Sequence, residues 1–156
     1  MKTAASTADL SCRELAFGSA DYHAAVALRE VVLRRPLGLT LTPDDFAGEE
    51  TSFHLGCFAG GQLVGTLILR PLDARVLKMR QVAVAPEWQG RGIGTALVAF
   101  AEHCAAARGF TTLVAHARGT ALDFYRKLAY WEEGAPFLEQ GLPHVAIRKE
   151  LGTRTG

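Results

Sequence analysis

Gly90, Gly92 and Gly94 alternate with other residues between a β-branched run that ends at Pro86 and a stretch of helical periodicity. Ile93, Ala96, Leu97, Phe100, Ala101 and Cys104 fall at i, i+3, i+4, i+7, i+8 and i+11. Those positions share one face of a helix, which Gly109 closes. A strand, a glycine turn and the start of an amphipathic helix, in that order, form a cradle for an anion. The first backbone N–H groups of the helix have no intrahelical acceptor, and the helix dipole adds about +0.5 charge there. Glycines let that backbone come close, Arg91 can add a charge and Thr95 a hydroxyl.

Spacing separates the phosphate motifs that compete for this loop. The Gly-Lys-Ser/Thr tripeptide of a Walker A loop does not occur. The third glycine of a dinucleotide fingerprint would fall at Thr95 or Leu97, and its ribose-binding acid near Gly109 to Ala115, where there is no carboxylate. A glycine turn that merely joins strand to helix is the plainer alternative.

Around the loop the chain reads as a mixed α/β unit. Leu10 to Phe17 suggests a strand, and Ser19 to Arg35 a helix stopped by Pro36-Leu37-Gly38. Thr42 before Pro43 marks a second, short helix. Residues 53–58 and 62–69 flank Gly60-Gly61 as a hairpin, and Val76 to Ala85 adds a third antiparallel strand. Beyond the long helix come a strand at Thr112 to Ala115 and a helix from Thr120, with Asp123 completing a capping-box variant, through Leu128. Strands at Tyr130 to Glu133 and His144 to Lys149 follow. One domain is expected over 10–151, with flexible ends at 1–9 and 152–156.

With 156 residues, 49% apolar and 21% charged, the chain can bury one ordinary core. A net charge of +1 supplies no basic field, so neither nucleic acid nor an anionic membrane is expected as partner. No apolar run is long enough to span a bilayer and the first residues lack a signal peptide's apolar core, which points to the cytoplasm. Cys12, Cys57 and Cys104 lie far apart, and the five His residues form no ligand-spaced pair, so no metal is expected.

The run Val82-Ala83-Val84-Ala85-Pro86-Glu87-Trp88-Gln89-Gly90-Arg91-Gly92-Ile93-Gly94 resembles the central motif of the GNAT acetyltransferase superfamily, Gln/Arg-x-x-Gly-x-Gly/Ala. Ala121-Leu122-Asp123-Phe124-Tyr125-Arg126-Lys127-Leu128 is similar to the family's next helix, and Glu139-Gln140-Gly141-Leu142-Pro143-His144 resembles an ElaA-like bacterial branch. The chain departs from the family at Ala129-Tyr130, where Gly-Phe is common, and at Arg118, where many members carry Asn.

The resemblance implies an α+β fold, a mixed and mostly antiparallel sheet flanked by helices, with acyl-CoA held where two central strands splay. It implies an acetyl-CoA-dependent N-acetyltransferase acting directly on a primary amine, of a small molecule or a protein; a homodimer stays open. Gln81, Val82, Ala83 and Val84 would meet the pantetheine arm, with an amide of that strand on the thioester carbonyl. Gln89, Gly90, Arg91, Gly92, Ile93, Gly94 and Thr95 would hold the pyrophosphate, and Phe124 would join them. Tyr125 is the implied acid toward the leaving thiolate, although Ala121, Phe124, Tyr125 and Leu128 share a face and could be core. Glu50, His116 and His144, with Glu49 and His54 beside them, are the bases to weigh. Arg29, Arg34, Arg35 and Leu37 would shape the acceptor side. A non-catalytic acyl-CoA sensor would keep the loop and need no acid at Tyr125; a nucleotide-binding regulatory module is a third reading.

Overall fold

The computed structural model describes residues 9–152. The flexible ends expected at 1–9 and 152–156 lie outside that range, Asp9 and Gly152 apart. Seven strands form one sheet: β1 (Leu10–Leu15), β2 (Phe53–Ala59), β3 (Gln62–Pro71), β4 (Val76–Val84), β5 (Thr112–Arg118), β6 (Trp131–Glu139) and β7 (Leu142–Glu150). Their order is β1-β2-β3-β4-β5-β7-β6. All neighbours are antiparallel except β4 and β5, which are joined across the sheet by helix α2 (Ile93–Ala107).

Period-two alternation sorts β2 between two layers. Leu55, Cys57 and Ala59 join the main core under Leu97, Val98, Ala101 and Ala105 of α2. Phe58 faces the other way and packs with Leu15 and with Ala25 of helix α1 (Ala20–Arg29). Gly60 and Gly61, at φ 56° and 84°, make the tight turn of the β2–β3 hairpin.

The first helix does not run as one α-helix to Arg35. Ser19 caps it by accepting a hydrogen bond from the Tyr22 N–H, but from Glu30 to Arg34 it widens into a π-helical turn, then tightens into a 3-10 turn at Arg35–Leu37. Apolar spacing registers the face of a helix, and a single wide turn leaves that signal almost unchanged. Thr42 and Asp45 do form a capping box, over a 3-10 turn (Pro43–Phe46). Helix α3 (Leu122–Lys127) is shorter than expected: a 3-10 turn at Gly119–Ala121 precedes it and Ala121, not Thr120, is its N-cap.

Where the family often has glycine, Ala129 ends α3 at φ 70°, a conformation that costs a residue with a Cβ about 1–2 kcal/mol. Ala129→Gly is therefore expected to stabilise the fold by about 0.5–1 kcal/mol after glycine's larger entropy cost, and to raise Tm by a few degrees in a thermal melt. An unchanged or lower Tm would show that the turn carries no strain.

Candidate active site

β4 and β5 pair only from Val76–Thr112 to Met79–Ala115. Beyond that point β4 keeps β3 on one side and has no strand on the other. A bulge accompanies the parting. Ile68 pairs with Arg80 and Thr66 with Ala83, so Gln81 and Val82 together oppose Leu67. Gln81 sits at φ 50°, and its amide donates to the Asp45 carbonyl at 2.9 Å. An extra residue bends its strand and increases the local twist.

Two cavities open at the parting. The larger, about 700 Å³, runs along the glycine loop and is lined by Val82, Val84, Gln89, Gly90, Gly92, Ile93, Gly94, Thr95 and Phe124, with Val32, Trp88 and Lys127. Ala83, alternating with Val82 and Val84, is buried away from it. Arg91 instead lays its guanidinium over the Trp88 ring, 4.8 Å from the centroid. Gly92 is the N-cap of α2 at φ 83°, and no side chain caps the helix. A Cβ there would meet no atom within 4 Å, so backbone conformation rather than crowding by the protein calls for glycine. At Gly94 a Cβ would come within 3.1 Å of the Phe124 ring, so that glycine makes room for α3. Lys127, one turn after Phe124 on the same face of α3, is a groove residue that i, i+3 spacing could have revealed.

The second cavity, about 330 Å³, lies on the other side of the parting. It is walled by Leu33, Arg34, Leu37 and Asp45 from the segment after α1, by β4 from Lys78 to Val82, and by His116, Arg118, Glu139 and His144. Gln81 faces this cavity, not the groove. Val82, Ala121 and Tyr125 line both cavities and mark where they meet.

Tyr125 is 7% exposed, packed edge-on against Phe124 and Tyr130. Burial pushes its pKa up to about 12, with no hydrogen bond contributing. Its hydroxyl has no partner among the described residues, whereas that of Tyr130 donates to Glu102.

Two of the candidate bases reach the second cavity. His144 is 8% exposed; its Nδ1 lies 2.9 Å from the Leu142 carbonyl, which can only accept, so Nδ1 carries a proton and the lone pair of the neutral ring falls on Nε2. Glu139 lies 3.6 Å from that Nε2 and 2.9 Å from Nδ1 of His116. Burial would raise the Glu139 pKa, but the hydrogen bond from His116 and the nearby charges outweigh it and hold the carboxyl below its usual value. Glu50 is exposed on a 3-10 turn and lines neither cavity. Glu49 and His54 are buried together: Glu49 binds Arg29 and Tyr22, and His54 donates from Nε2 to the Glu49 carbonyl at 2.7 Å. Of the expected acceptor-side arginines, only Arg34 reaches the cavity wall, with Leu37. Among the described residues no group of three or more His, Cys, Asp or Glu side chains is placed to hold a metal, and no helix is long and apolar enough to cross a membrane.

The acetyltransferase (GNAT) family model matches residues 22–130, and the chain belongs to that family. An uncharacterized N-acetyltransferase of Bacillus subtilis, YitI, is 31% identical over 111 residues, 67% of this chain and 74% of that protein. A crystal structure from Lactobacillus plantarum superposes with a TM-score of 0.82 at 28% identity, covering 91% of this chain and 98% of the other. Escherichia coli ElaA shares the fold with a TM-score of 0.74 at 19% identity, over 90% and 99% of the two chains. The GNAT fold, with its mixed sheet flanked by helices, and acyl-CoA-dependent acetyl transfer as its general chemistry follow from this membership.

Proposed function

We propose that this chain, folded as one domain over 10–151, transfers the acetyl group of acetyl-CoA directly to the primary amine of a small molecule held with it in a ternary complex. The observation that carries this reading is the meeting of the two cavities at Val82, Ala121 and Tyr125, where β4 leaves β5. An acyl-CoA sensor needs the groove alone and has no use for a second cavity opening on the same point.

Each element then has one task. The free N–H groups at the head of α2 receive the pyrophosphate, with Lys127 adding charge near the groove. The open edge of β4 around Val82 to Val84 pairs with the pantetheine arm as a missing strand would. Acetyl-CoA supplies the activated acyl group; the chain supplies position and electrostatics. An amide of β4 stabilises charge on the carbonyl oxygen as the amine nitrogen bonds to carbon and the carbon–sulfur bond breaks. His144 takes the amine's proton at Nε2, where Glu139 stabilises the resulting cation. Tyr125 donates a hydrogen bond to the departing sulfur. It does not pass its proton over: a thiol near 8.5 is far the stronger acid than a phenol at about 12, which makes full transfer uphill by about 5 kcal/mol.

Calorimetry with acetyl-CoA, followed by thiol release over a panel of amines, tests the reading. Micromolar-range binding and amine-dependent release are expected. Gly92→Val should bind acetyl-CoA at least tenfold more weakly while remaining folded by circular dichroism, because a β-branched residue cannot hold φ near 83° and the loop must open. Unchanged affinity in a folded variant would remove the loop from the site.

A further inference from the structure

The chemistry of the acceptor is written in the charges of the smaller cavity. Four cations, Arg34, Lys78, Arg80 and Arg118, line it against two carboxylates, Asp45 and Glu139. Arg34 and Asp45 neutralise each other at 2.6 Å. Glu139 stands between His116 and His144. Lys78, Arg80 and Arg118 make no ion pair among the described residues. Lys78 and Arg80 are half-buried and give up hydration that only a 3.5 Å contact of the Lys78 ammonium with His116 Nδ1 and more distant carboxylates offset, whereas Arg118 is exposed. Burial lowers the proton affinity of Lys78, against the attraction of Glu139, and that of Arg80, where repulsion by Arg70 adds to burial and Glu49 and Asp45 oppose it; by count the wall still carries four cations to two carboxylates.

Placement adds a direction. Lys78, Arg80 and Val82 succeed one another along the cavity wall of β4, and Val82 marks the meeting point with the groove. An anion on Arg80 would therefore lie within a residue or two of strand, roughly 7 Å, from the place where the amine must react. At about 330 Å³ the cavity is at the small end of ligand sites, suited to a compact molecule.

We infer that the acceptor is a small amine that also carries an anionic group, a carboxylate or a phosphate, held by Arg80 with Lys78 and Arg118. The inference rests on the acetyl-transfer reading for its reaction but not for its anion site. An acceptor with several ammonium groups would meet a wall of its own sign.

Matched amines test it: β-alanine and γ-aminobutyrate against their carboxamides, O-phosphoethanolamine against ethanolamine, and spermidine as a polycation. With acetyl-CoA saturating, kcat/KM should favour the anionic member of at least one pair by tenfold or more, and which pair responds separates carboxylate from phosphate. Arg80→Gln should shrink that preference by about 10- to 100-fold, mainly through KM, and Arg80→Lys should restore part of it. Spermidine or the neutral amines turned over as well as the anionic ones, or a preference that Arg80→Gln leaves intact, would overturn the inference. Should acetyl-CoA fail to bind, the transfer reading falls on that measurement alone. If no amine in the panel is turned over, calorimetric titration of acetate and inorganic phosphate into wild type and Arg80→Gln decides. Binding lost in the variant supports the anion site, and no binding of either to the wild type refutes it.

Discussion

Tyr125→Phe is expected to lower kcat and kcat/KM together by about 10- to 1,000-fold, equivalent to about 1.4–4 kcal/mol of transition-state stabilisation. Only a hydroxyl is lost, and it is one the protein does not use. A tyrosine kept for packing would hand its buried hydroxyl to a neighbour, as Tyr130 does with Glu102. Among the described residues that of Tyr125 has no such partner and yet it is not fully buried, and the side chain lines both cavities where they meet. The thermal midpoint of the variant should consequently stay close to that of the wild type, and acetyl-CoA affinity should change little. With the phenol pKa at about 12, Tyr125 remains protonated across the working range, so it should place no basic limb on the rate profile below about pH 11. Wild-type kcat in Tyr125→Phe would defeat the assignment.

Glu49→Ala should act on stability instead, and heavily. Arg29 is fully buried and Glu49 1% exposed; two hydrogen bonds, of 2.8 and 3.3 Å, join guanidinium to carboxylate, and the Tyr22 hydroxyl donates to the same carboxylate at 2.5 Å. Burial first, and then the hydrogen bond and charge of Glu49, push the Tyr22 pKa up to about 12. Removing the carboxylate strands a buried guanidinium and a phenol at once. The expected cost is about 3–5 kcal/mol, which for a chain of this length lowers Tm by roughly 10 °C or more. A chemical denaturation series would read it as a lower midpoint. The double change Arg29→Met with Glu49→Leu, which leaves no orphan charge, should recover most of the loss. Equal stability of Glu49→Ala and wild type would mean that the cluster is dispensable.

The parts of this molecule that sequence made legible are those encoded locally. The Gly60-Gly61 turn, the apolar face of α2 and the glycine loop each declare themselves within about a dozen residues, and the family resemblance extended them to Val82, Val84, Phe124 and Tyr125. What stayed hidden depends on contacts between distant residues. Nothing in the local pattern marks the π-helical turn at Glu30–Arg34, which brings Leu33 and Arg34 to the cavity. Of β6 only the start, within the strand expected at Tyr130 to Glu133, is legible: beyond Glu133 the strand is exposed nearly throughout and its pairing with β7 is broken up to Phe137, so it lacks the alternation that betrays a strand, and its turn to β7 uses Gln140-Gly141 rather than a common hairpin pair. Cys12 and Cys57, 45 positions apart, turn out to be register partners across β1 and β2. His116, Glu139 and His144 likewise come together only because β5, β7 and β6 are neighbours in the sheet. Choosing among the candidate bases needed that adjacency.

The bulge at Gln81 also bears on how such an enzyme could be retargeted. Gln81 sits in the strand that would grip the cofactor, yet its side chain is tied to the Asp45 carbonyl, and Asp45 in turn binds Arg34. The segment between α1 and β2 is thereby keyed to the shape of β4. Grafting that segment from a relative, the obvious way to exchange acceptor preference, would unfasten the strand unless the graft brings its own latch for Gln81. On the proposed reading the acceptor and cofactor sides are not separate modules, and a swap would have to be judged by its effect on both.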